Sequence, residues 1–295
     1  MENTYTKALM VDANYLCHTV YHTMPALSFD TKPTQIVYGF IKRVISLAVK
    51  FPSDNIVFTW DSKSSIRKEV YPKYKEARRK AAGESSDEEK AKKRMAYLQF
   101  DDIRDVILPE LGFANVYMAE GFEADDIMAA IVNSNTGYEF IVATTDKDMY
   151  QIVNDRCSLY NPATKLLTTV SSFEKEFGCH PSLWGEARSI SGCSTDNVIG
   201  VKGVGEKTAI KYLYGELKPT SEKYKDIEQS KSIIDDNREL IVLPLYGTPD
   251  IEINRNNNLS RHKFVKFCEK YGFKSLLSSS ILNKWDSIIR FSGPF

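Results

Sequence analysis

The chain has few of the features that would place it outside the cell or in a membrane. Its five cysteines are scattered over 295 residues and no two have the CxxC spacing, so neither a structural zinc site nor a disulfide framework is predicted. The N-terminus lacks the apolar stretch of a signal peptide, and no apolar run approaches the length of a membrane span. We therefore expect a cytoplasmic protein with no membrane partner.

Net charge is absent as well, because 39 Lys and Arg residues balance 39 Asp and Glu residues. A zero sum argues against binding to a polyanion, but the charges are unevenly distributed along the chain. Between positions 62 and 94 there are twelve basic residues against six acidic ones. Since local charge matters more than the total for binding polyanions, this segment is a candidate contact for nucleic acid.

Four apolar runs of strand-like length, ALMV, NIVFTW, NVYMA and FIVATT, each lead into acidic residues. These acids are Asp12, Asp61, Glu123, Asp125, Asp126, Asp146 and Asp148. Short apolar runs separated by helical stretches indicate a parallel sheet, whose strand carboxyl ends line a ligand crevice. We therefore expect acids from distant parts of the chain to meet at one edge of the sheet.

So many carboxylates cannot lie together without cations, and carboxylate oxygen selects hard ions such as Mg²⁺ or Mn²⁺. A cluster of this kind in a crevice points to phosphate chemistry. The EADD stretch has a second interpretation, because acids in a first helical turn also favour the helix dipole. The strand-end positions of Asp12 and Asp61 favour metal binding. Helical spacing puts Glu123 and Asp126 on one face and directs Asp125 elsewhere.

Helical periodicity predicts helices over Pro33–Lys50, Met95–Leu111, Phe122–Val132 and near Phe264–Leu277, with Gly112 ending the second of them. The charged segment at 62–94 is too polar to be core. Because it directly follows Asp61, we interpret it as a mobile arch over the crevice. A solvated helical hairpin or a flexible insertion is the alternative.

Glycines recur in the run IGVKGVGEKTAIKYL, at Gly200, Gly203 and Gly205. Closely spaced glycines allow a tight turn with close backbone approach, and amide groups at the start of the next helix can bind a phosphate. This pattern predicts a helix-hairpin-helix, in which Lys202 and Lys207 contact the phosphates of a duplex. An ordinary turn between helices is the alternative.

Taken together, these stretches resemble the 5′ nuclease family, also called flap endonucleases. The family includes phage 5′–3′ exonucleases and the 5′-nuclease domain of bacterial DNA polymerase I. The resemblance extends from Leu9 to about Leu277. The matching stretches, in the family's order, are VD, PTQIVYGF, WD, IRKEVYPKYKEAR, EADD, TTDKDMYQIV and ISGCSTDNVIGVKGVGEKTA.

The resemblance implies an α/β fold with a central, mostly parallel sheet flanked by helices. Positions 1–180 would form a PIN-like catalytic core with a helical arch at about 66–110. Positions 181–295 would form a helix-hairpin-helix DNA-binding region and C-terminal helices that pack on the core. It also implies a free-standing enzyme of the kind that phages often encode, acting as a monomer in the cytoplasm.

The resemblance further implies a role for each candidate residue. The first metal site would use Asp12, Asp61, Glu123, Asp125 and Asp126, some of them through water. The second would use Asp146, Asp148 and Asp196. Lys75 and Arg78 would approach the scissile phosphate, and Tyr74 would stack on a base. DNA would be bound by Lys202, Gly203, Gly205 and Lys207, and K⁺ would be held by carbonyls near Val201 to Val204.

The implied function is a metal-dependent, structure-specific 5′ nuclease, both 5′–3′ exonuclease and flap endonuclease. It would hydrolyse phosphodiesters near single-strand/double-strand junctions in DNA with a 5′ flap or 5′ end, using two Mg²⁺ or Mn²⁺ ions. Two alternatives remain open at this point. One is a nuclease of RNA or of RNA primers in hybrids, because the same carboxylates serve either. The other is a DNA-binding module with crippled catalysis.

Cys193 favours the last alternative. The family motif reads GD, two residues, then DN, whereas this chain has Gly192 and Cys193 before Asp196 and Asn197. A thiol is mostly protonated near neutral pH and is a poor Mg²⁺ ligand. We therefore expect a second site with one carboxylate fewer and weaker Mg²⁺ binding.

Overall fold

The computed structural model describes residues 5–293 and builds them around one large sheet. The strands are β1 (Thr6–Asp12), β2 (Ser28–Phe29), β3 (Lys32–Pro33), β4 (Asn55–Thr59), β5 (Asn115–Tyr117), β6 (Tyr138–Ala143), β7 (Cys157–Tyr160), β8 (Leu167–Thr168), β9 (Gly192–Cys193) and β10 (Val198–Ile199). The large sheet has the order β5-β4-β1-β6-β7-β8. Its neighbouring strands run parallel except β7 and β8, so the predicted mostly parallel sheet is confirmed.

The helices are α1 (Ala13–Thr23), α2 (Gln35–Lys50), α3 (Ile66–Val70), α4 (Glu76–Gly83), α5 (Asp87–Asp102), α6 (Leu108–Leu111), α7 (Ala124–Ser134), α8 (Val170–Phe177), α9 (Trp184–Ser191), α10 (Glu206–Leu213), α11 (Glu222–Gln229), α12 (Lys231–Ile241), α13 (Arg261–Lys270) and α14 (Ser279–Ser292). Shorter helical turns lie at Ile103–Ile107, Asp148–Ile152, Pro181–Leu183, Ser194–Asp196 and Lys274–Leu277. Across positions 5–293, none of these helices combines the length and apolarity needed to cross a membrane.

Apolar clusters cover both faces of the sheet, as a parallel sheet requires. Strand β4 is buried along its whole length, and its three central residues, IVF, are all apolar. One cluster packs the sheet against α1, α2, α5, α6, α13 and α14, and within it the rings of Phe264 and Trp285 stack 4.3 Å apart. The other cluster packs α7 on the opposite face. The C-terminal helices α13 and α14 thus pack on the sheet.

The strand register places the carboxyl ends of the central strands side by side. Asp12, the last residue of β1, lies opposite Thr59 of β4, which lies opposite Tyr117 of β5. On the other side of β1, Val11 pairs with Ala143, the last residue of β6. Acids that follow these strands are therefore brought to one edge.

The basic segment after β4 forms α3, α4 and the first half of α5. Positions 75–95 contain no buried residue, so this stretch stands in solvent. Helix α5 begins at Asp87, earlier than the apolar pattern indicated, because Ser86 and Glu89 form a capping box there. Its second half is anchored, since the Gln99 side chain accepts the N–H of Ile36 at 3.0 Å. The segment is an exposed pair of helices, and its role as an arch stays a prediction.

A third apolar cluster holds α8 to α12 together beside the sheet, and it already includes Phe173 of α8, before the boundary predicted near position 180. Between α9 and α10 the chain forms the small β9–β10 hairpin and then the glycine-rich turn. A Cβ on Gly200 would lie 2.1 Å from the carbonyl carbon of Ser191, and Gly203 has a φ of +70°. Both positions therefore require glycine. That this turn binds DNA stays a prediction.

Candidate metal centre and active site

Asp12 ends β1 and caps α1. Its Oδ1 accepts the N–H of Tyr15 at 2.9 Å, and its Oδ2 accepts the hydroxyl of Thr144 at 3.1 Å. The Thr144 hydroxyl oxygen also accepts the N–H of Asp146 at 3.2 Å, so one hydroxyl links acids after two different strands. Burial raises the pKa of Asp12 to about 7, and the neighbouring Asp61 contributes to the rise.

Asp61 follows β4 and joins it to two other elements. Its Oδ2 accepts the side-chain amide of Asn14 and its Oδ1 accepts the N–H of Ala124, both at 2.8 Å. Burial raises the pKa of Asp61, although the hydrogen bond from Ala124 opposes that rise. The carboxylate is therefore held in place by α1 and α7 and remains directed at the strand-end edge.

Asp125 belongs to the same group of acids. Burial raises its pKa well above the ordinary value, and the charges of Asp146, Asp12 and Asp61 raise it further. These couplings place Asp125 near carboxylates from three strand ends, and Glu123, which lines the same cavity, raises its pKa as well. That Asp125 serves a different ligand from Glu123 and Asp126 stays a prediction.

Asp126 does not join this group, which corrects the first predicted ligand set. Its side chain is fully buried, and its two oxygens accept hydrogen bonds from both terminal nitrogens of Arg67, at 2.5 and 2.8 Å. The N–H groups of Glu123 and Leu245 also donate to it, at 3.0 and 2.9 Å. With its oxygens taken up by these donors, Asp126 is a structural anion rather than an open metal ligand.

Asp146 and Asp148 follow β6, and their backbone brings them together. The Asp148 N–H donates to Asp146 Oδ1 at 2.8 Å. Burial and the charge of Asp148 raise the pKa of Asp146. The guanidinium of Arg188 donates to Asp148 at 2.8 Å and to Glu206, in the first turn of α10, at 3.0 Å. A single arginine therefore connects this pair to the helix after the glycine-rich turn.

Asp196 completes a second group with Asp148 and Cys193. Within residues 5–293, these three form the one set of His, Cys, Asp or Glu whose donor atoms all lie within 4.8 Å of one another. A cavity of about 20 Å³ is lined by them and by Glu123 and Asp125. Burial raises the pKa of Asp196. The acids of the first predicted site are more widely spaced, so an ion there would reach some of them through water.

Lys75 and Arg78 lie at the base of the exposed segment and contact these acids. The Lys75 ammonium is 2.7 and 2.8 Å from the two oxygens of Glu123. Burial alone would lower the pKa of Lys75, but Glu123 and Asp196 raise it above its ordinary value, so the charge is retained. Arg78 donates to Asp196 at 3.1 Å and is more than half exposed.

Tyr74 differs from the expectation that it stacks on a base. Its side chain is only 4% exposed, and its hydroxyl donates to Glu123 at 3.0 Å and to Asp196 at 3.3 Å. Burial and these two charges raise its pKa far above the ordinary value. The neutral hydroxyl positions carboxylates, and the ring is not open to a base in this conformation.

The predicted DNA-binding residues of the glycine-rich turn lie at the surface. Lys202, Gly203, Gly205 and Lys207 are all exposed. The ammonium of Lys223 donates to the carbonyl of Lys202 at 3.3 Å. A K⁺ ion near Val201 to Val204, as the resemblance implies, would thus meet a carbonyl that already has a cationic partner.

Four residues near the acids were not foreseen from the sequence: Asn14, Arg67, Thr144 and Arg188. Asn14 and Thr144 each lie two residues from a predicted ligand, and this proximity in sequence could have identified them as part of the site. Arg67 belongs to the basic stretch, where nothing marks it as different from its exposed neighbours. Arg188 lies on α9, and no local pattern relates it to Asp148.

The donor set fits divalent cations. Carboxyl groups from several strand ends raise one another's pKa values, and a cation between them would favour their charged forms. Oxygen donors of this kind suit hard ions, and Cys193 is the one soft donor among them.

This arrangement predicts how the stability of metal-free protein depends on pH. A carboxyl with a higher pKa in the folded chain than in the unfolded chain stabilises the fold at low pH, and this stability is lost as pH rises through the folded value. Because the pKa of Asp12 is raised from 3.8 in the unfolded chain to about 7 in the folded chain, we expect the melting temperature in chelator to fall between about pH 4 and pH 7. Thermal melts across this range test it. Added Mg²⁺ and Asp125→Asn should each flatten the decline, and a melting temperature that rises with pH in chelator contradicts it.

Comparisons with known proteins identify the family of the chain. A family model described as the 5′-3′ exonuclease, N-terminal resolvase-like domain, matches residues 7–178. The thermostable DNA polymerase I of Thermus aquaticus is 34% identical over 211 residues, covering 70% of this chain and 24% of that protein. The thermostable DNA polymerase I of Thermus thermophilus is 30% identical over 287 residues, covering 92% and 33%. The chain therefore spans a third or less of the length of these relatives.

Solved structures share the fold. The T5 5′-exonuclease with bound divalent metal ions (zinc) superposes with a TM-score of 0.68 at 20% identity, covering 97% of this chain and 99% of that one. A pseudo-enzyme–product complex of the bacteriophage T5 flap endonuclease with DNA and metal ions gives 0.67 at 19% identity, covering 97% and 98%. Both similarities support the α/β architecture, in which the acids that follow the strands meet at one edge of the sheet.

Proposed function

The chain belongs to the family of 5′-3′ exonucleases, and from this membership we propose that it is a 5′ nuclease of DNA. It would hydrolyse phosphodiester bonds near junctions between single and double strands, in substrates with a 5′ flap or a 5′ end. One observation carries the proposal. Seven carboxylates gather at one edge of the sheet, with Lys75 and Arg78 beside them at the base of an exposed basic segment.

Two divalent cations, Mg²⁺ or Mn²⁺, are the proposed cofactors. Asp12, Asp61, Glu123 and Asp125 would hold the first, and Asp146, Asp148 and Asp196 the second. Such ions, when bound, supply an activated water and neutralise charge on the phosphoryl oxygens. Asn14 and Thr144 keep Asp61 and Asp12 oriented, so these carboxylates need little rearrangement.

Lys75 is the proposed electrostatic catalyst. Its ammonium is partly withdrawn from water and lies against Glu123, where fixed positive charge stabilises a phosphate that gains negative charge in the transition state. Arg78 is more exposed and is proposed to assist from the same side. The left-handed backbone of Lys75, with a φ of +51°, aims this side chain from the loop just before α4.

We expect Lys75→Ala to slow single-turnover cleavage by about 100-fold while changing substrate affinity much less, because the charge acts mostly in the transition state. Rapid-quench assays at saturating enzyme, with binding measured by anisotropy, separate these quantities. Lys266→Ala, on an exposed position of α13, is the control and should behave as wild type. Loss of affinity in proportion, with an unchanged saturated rate, would make Lys75 a binding residue.

The glycine-rich turn is proposed to hold duplex DNA through Lys202 and Lys207, independently of sequence. Each phosphate contact that is lost should reduce the slope of log affinity against log salt by about 0.9. The Lys202→Ala/Lys207→Ala protein should therefore bind duplex more weakly and with a slope shallower by about two units. Duplex affinity measured over a range of salt concentrations tests this, with Lys266→Ala again as the control. An unchanged slope would leave the turn with a structural role only.

The proposal as a whole is tested with a labelled 5′-flap substrate, with and without chelator. Metal-dependent cleavage near the junction supports it. Faster cleavage of an RNA primer in a hybrid would favour the RNA-directed alternative. Binding without cleavage in Mg²⁺ and in Mn²⁺ would favour the binding module. We also propose that the protein is a monomer and that it works in the cytoplasm. Light scattering with and without DNA measures the oligomeric state.

A further inference from the structure

The thiol of Cys193 faces the acidic cavity. Its sulfur lies 3.6 Å from Asp148 Oδ2 and 3.1 Å from the hydroxyl of Thr195, and a donor atom of Asp196 is within 4.8 Å of both Cys193 and Asp148. The side chain is 1% exposed, yet it lines the same cavity as Asp125. The thiol therefore lies at the border between the acids and a small apolar cluster that includes Val198, Leu240 and Ile241.

The local fold keeps the sulfur in this position. Cys193 pairs with Val198 in the β9–β10 hairpin, and Gly192 before it has a φ of +78°, where an added Cβ would lie 2.3 Å from the N of Gly200. The backbone on either side of the hairpin is thus closely packed. Since neither strand can shift without breaking these contacts, the thiol is directed into the cavity by the chain itself.

The spacing of the donors matches that of a tetrahedral ion. A zinc-type ion bound to one sulfur and one carboxylate oxygen holds these two atoms about 3.5 Å apart. The thiol of Cys193 donates a hydrogen bond to Asp148 Oδ2 at 3.6 Å, so the two atoms already have the separation that such an ion would need. The cavity of about 20 Å³ has room for one particle the size of a water molecule. Arg188 donates to the other Asp148 oxygen, so the partner of Oδ2 is the Cys193 thiol, whose proton an ion would replace.

From this geometry we infer that the second metal position is a mixed carboxylate–thiolate site, formed by Asp148, Cys193 and Asp196, that selects a softer divalent cation of the zinc class over Mg²⁺. The inference rests on the proposed function, which supplies the metal-dependent role of the site. Thiolate sulfur is a strong ligand for soft or borderline ions and a poor one for Mg²⁺. When the ion binds, the sulfur–metal bond forms and the thiol proton passes to the solvent.

Cobalt titration of the reduced protein tests this without DNA. Co²⁺ bound to a thiolate gives a near-ultraviolet charge-transfer absorption that carboxylate-bound Co²⁺ does not give. We expect wild type to develop this absorption, to lose it when Zn²⁺ is added, and to keep it in a large excess of Mg²⁺. Cys193→Ser and Cys193→Asp should lack it. Cys179→Ser, which removes a buried cysteine outside the cavity, should retain it.

Affinity measurements keep the test decisive if the Cys193 variants fold poorly. Asp196→Asn leaves the thiol in place and should weaken Co²⁺ binding by roughly 10- to 100-fold, the scale expected for a disturbed ligand shell. In Cys193→Asp, Mg²⁺ should bind more tightly than in wild type. No charge-transfer absorption in wild type, absorption that survives in Cys193→Ser, or equal displacement by Mg²⁺ and Zn²⁺ would each overturn the inference.

The two proposals fail in different ways. Flap cleavage in Mg²⁺ by a protein without the cobalt–thiolate absorption leaves the nuclease in place and removes the soft-metal site. The absorption in a protein that cleaves no flap substrate in any metal refutes the nuclease proposal, while Asp148, Cys193 and Asp196 remain a thiolate-containing site.

Discussion

Asp125→Asn is expected to reduce cleavage of a 5′-flap substrate by about 1,000-fold, the upper end of the loss for one preorganised electrostatic group. The Asp125 side chain is half-buried, and the charges of Asp146, Asp12 and Asp61 raise its pKa, so it lies near acids from three strands. Asparagine keeps the shape of the side chain but removes the charge that holds a cation. Binding of the flap should persist or strengthen, because one negative charge facing the phosphates is gone.

The measurement is single-turnover cleavage at saturating metal, together with flap affinity in chelator. Asp155→Asn, at an exposed position, is the matched control and should cleave normally. A thermal melt confirms that the variant is folded, and a modest gain in stability of the metal-free protein is expected because like-charge repulsion is relieved. Turnover near that of wild type would remove Asp125 from the metal centre.

A different outcome is expected one residue further along the chain, where Asp126→Ala should cost about 3–5 kcal/mol of folding free energy. This substitution leaves the buried guanidinium of Arg67 without its partner and the N–H of Leu245 without an acceptor. Arg67 also donates to the carbonyl of Leu240 at 2.7 Å, so the pair connects α3, α7 and the end of α12. Loss of activity would follow from loss of structure.

Urea denaturation of Asp126→Ala, Arg67→Met and the double variant measures this coupling. The double variant should be more stable than the sum of the single changes predicts, because no unpaired charge is left buried. If Asp126→Asn instead abolished cleavage and left the free energy of unfolding unchanged, Asp126 would be a metal ligand as the sequence suggested.

The contrast between Asp125 and Asp126 shows where prediction from sequence stops. Both are aspartates in the first turn of α7, and helical spacing predicts different directions for them. Which direction leads to the metal edge and which to a buried arginine depends on Arg67, which is 59 positions away in the chain. Tyr74 is a similar case, because an aromatic residue in a basic stretch gives no local sign that its hydroxyl is enclosed by Glu123 and Asp196.

The sheet and its strand-end acids were predictable because buried strands leave continuous apolar runs and parallel strands end at one edge. The start of α5 was missed for the opposite reason: its first half is exposed and has no apolar periodicity, so only the Ser86–Glu89 capping box marks it. The β9–β10 hairpin has two residues in each strand, too few for any pattern to register. The place of Cys193 at the second site was therefore expected from the family motif alone, and the hairpin that holds it there was not.

The ion pair between Lys75 and Glu123 has a consequence for selectivity. The ammonium of Lys75 is proposed to contact the scissile phosphate. In the free protein this ammonium already forms an ion pair with Glu123, at 2.7 Å. Glu123 thus acts as an internal competitor that every incoming phosphate must displace. A long strand can offset this cost with contacts elsewhere, whereas a mononucleotide cannot. We therefore expect free nucleotides to inhibit weakly, which an inhibition constant for a 5′-mononucleotide, set against the affinity for a flap, would measure.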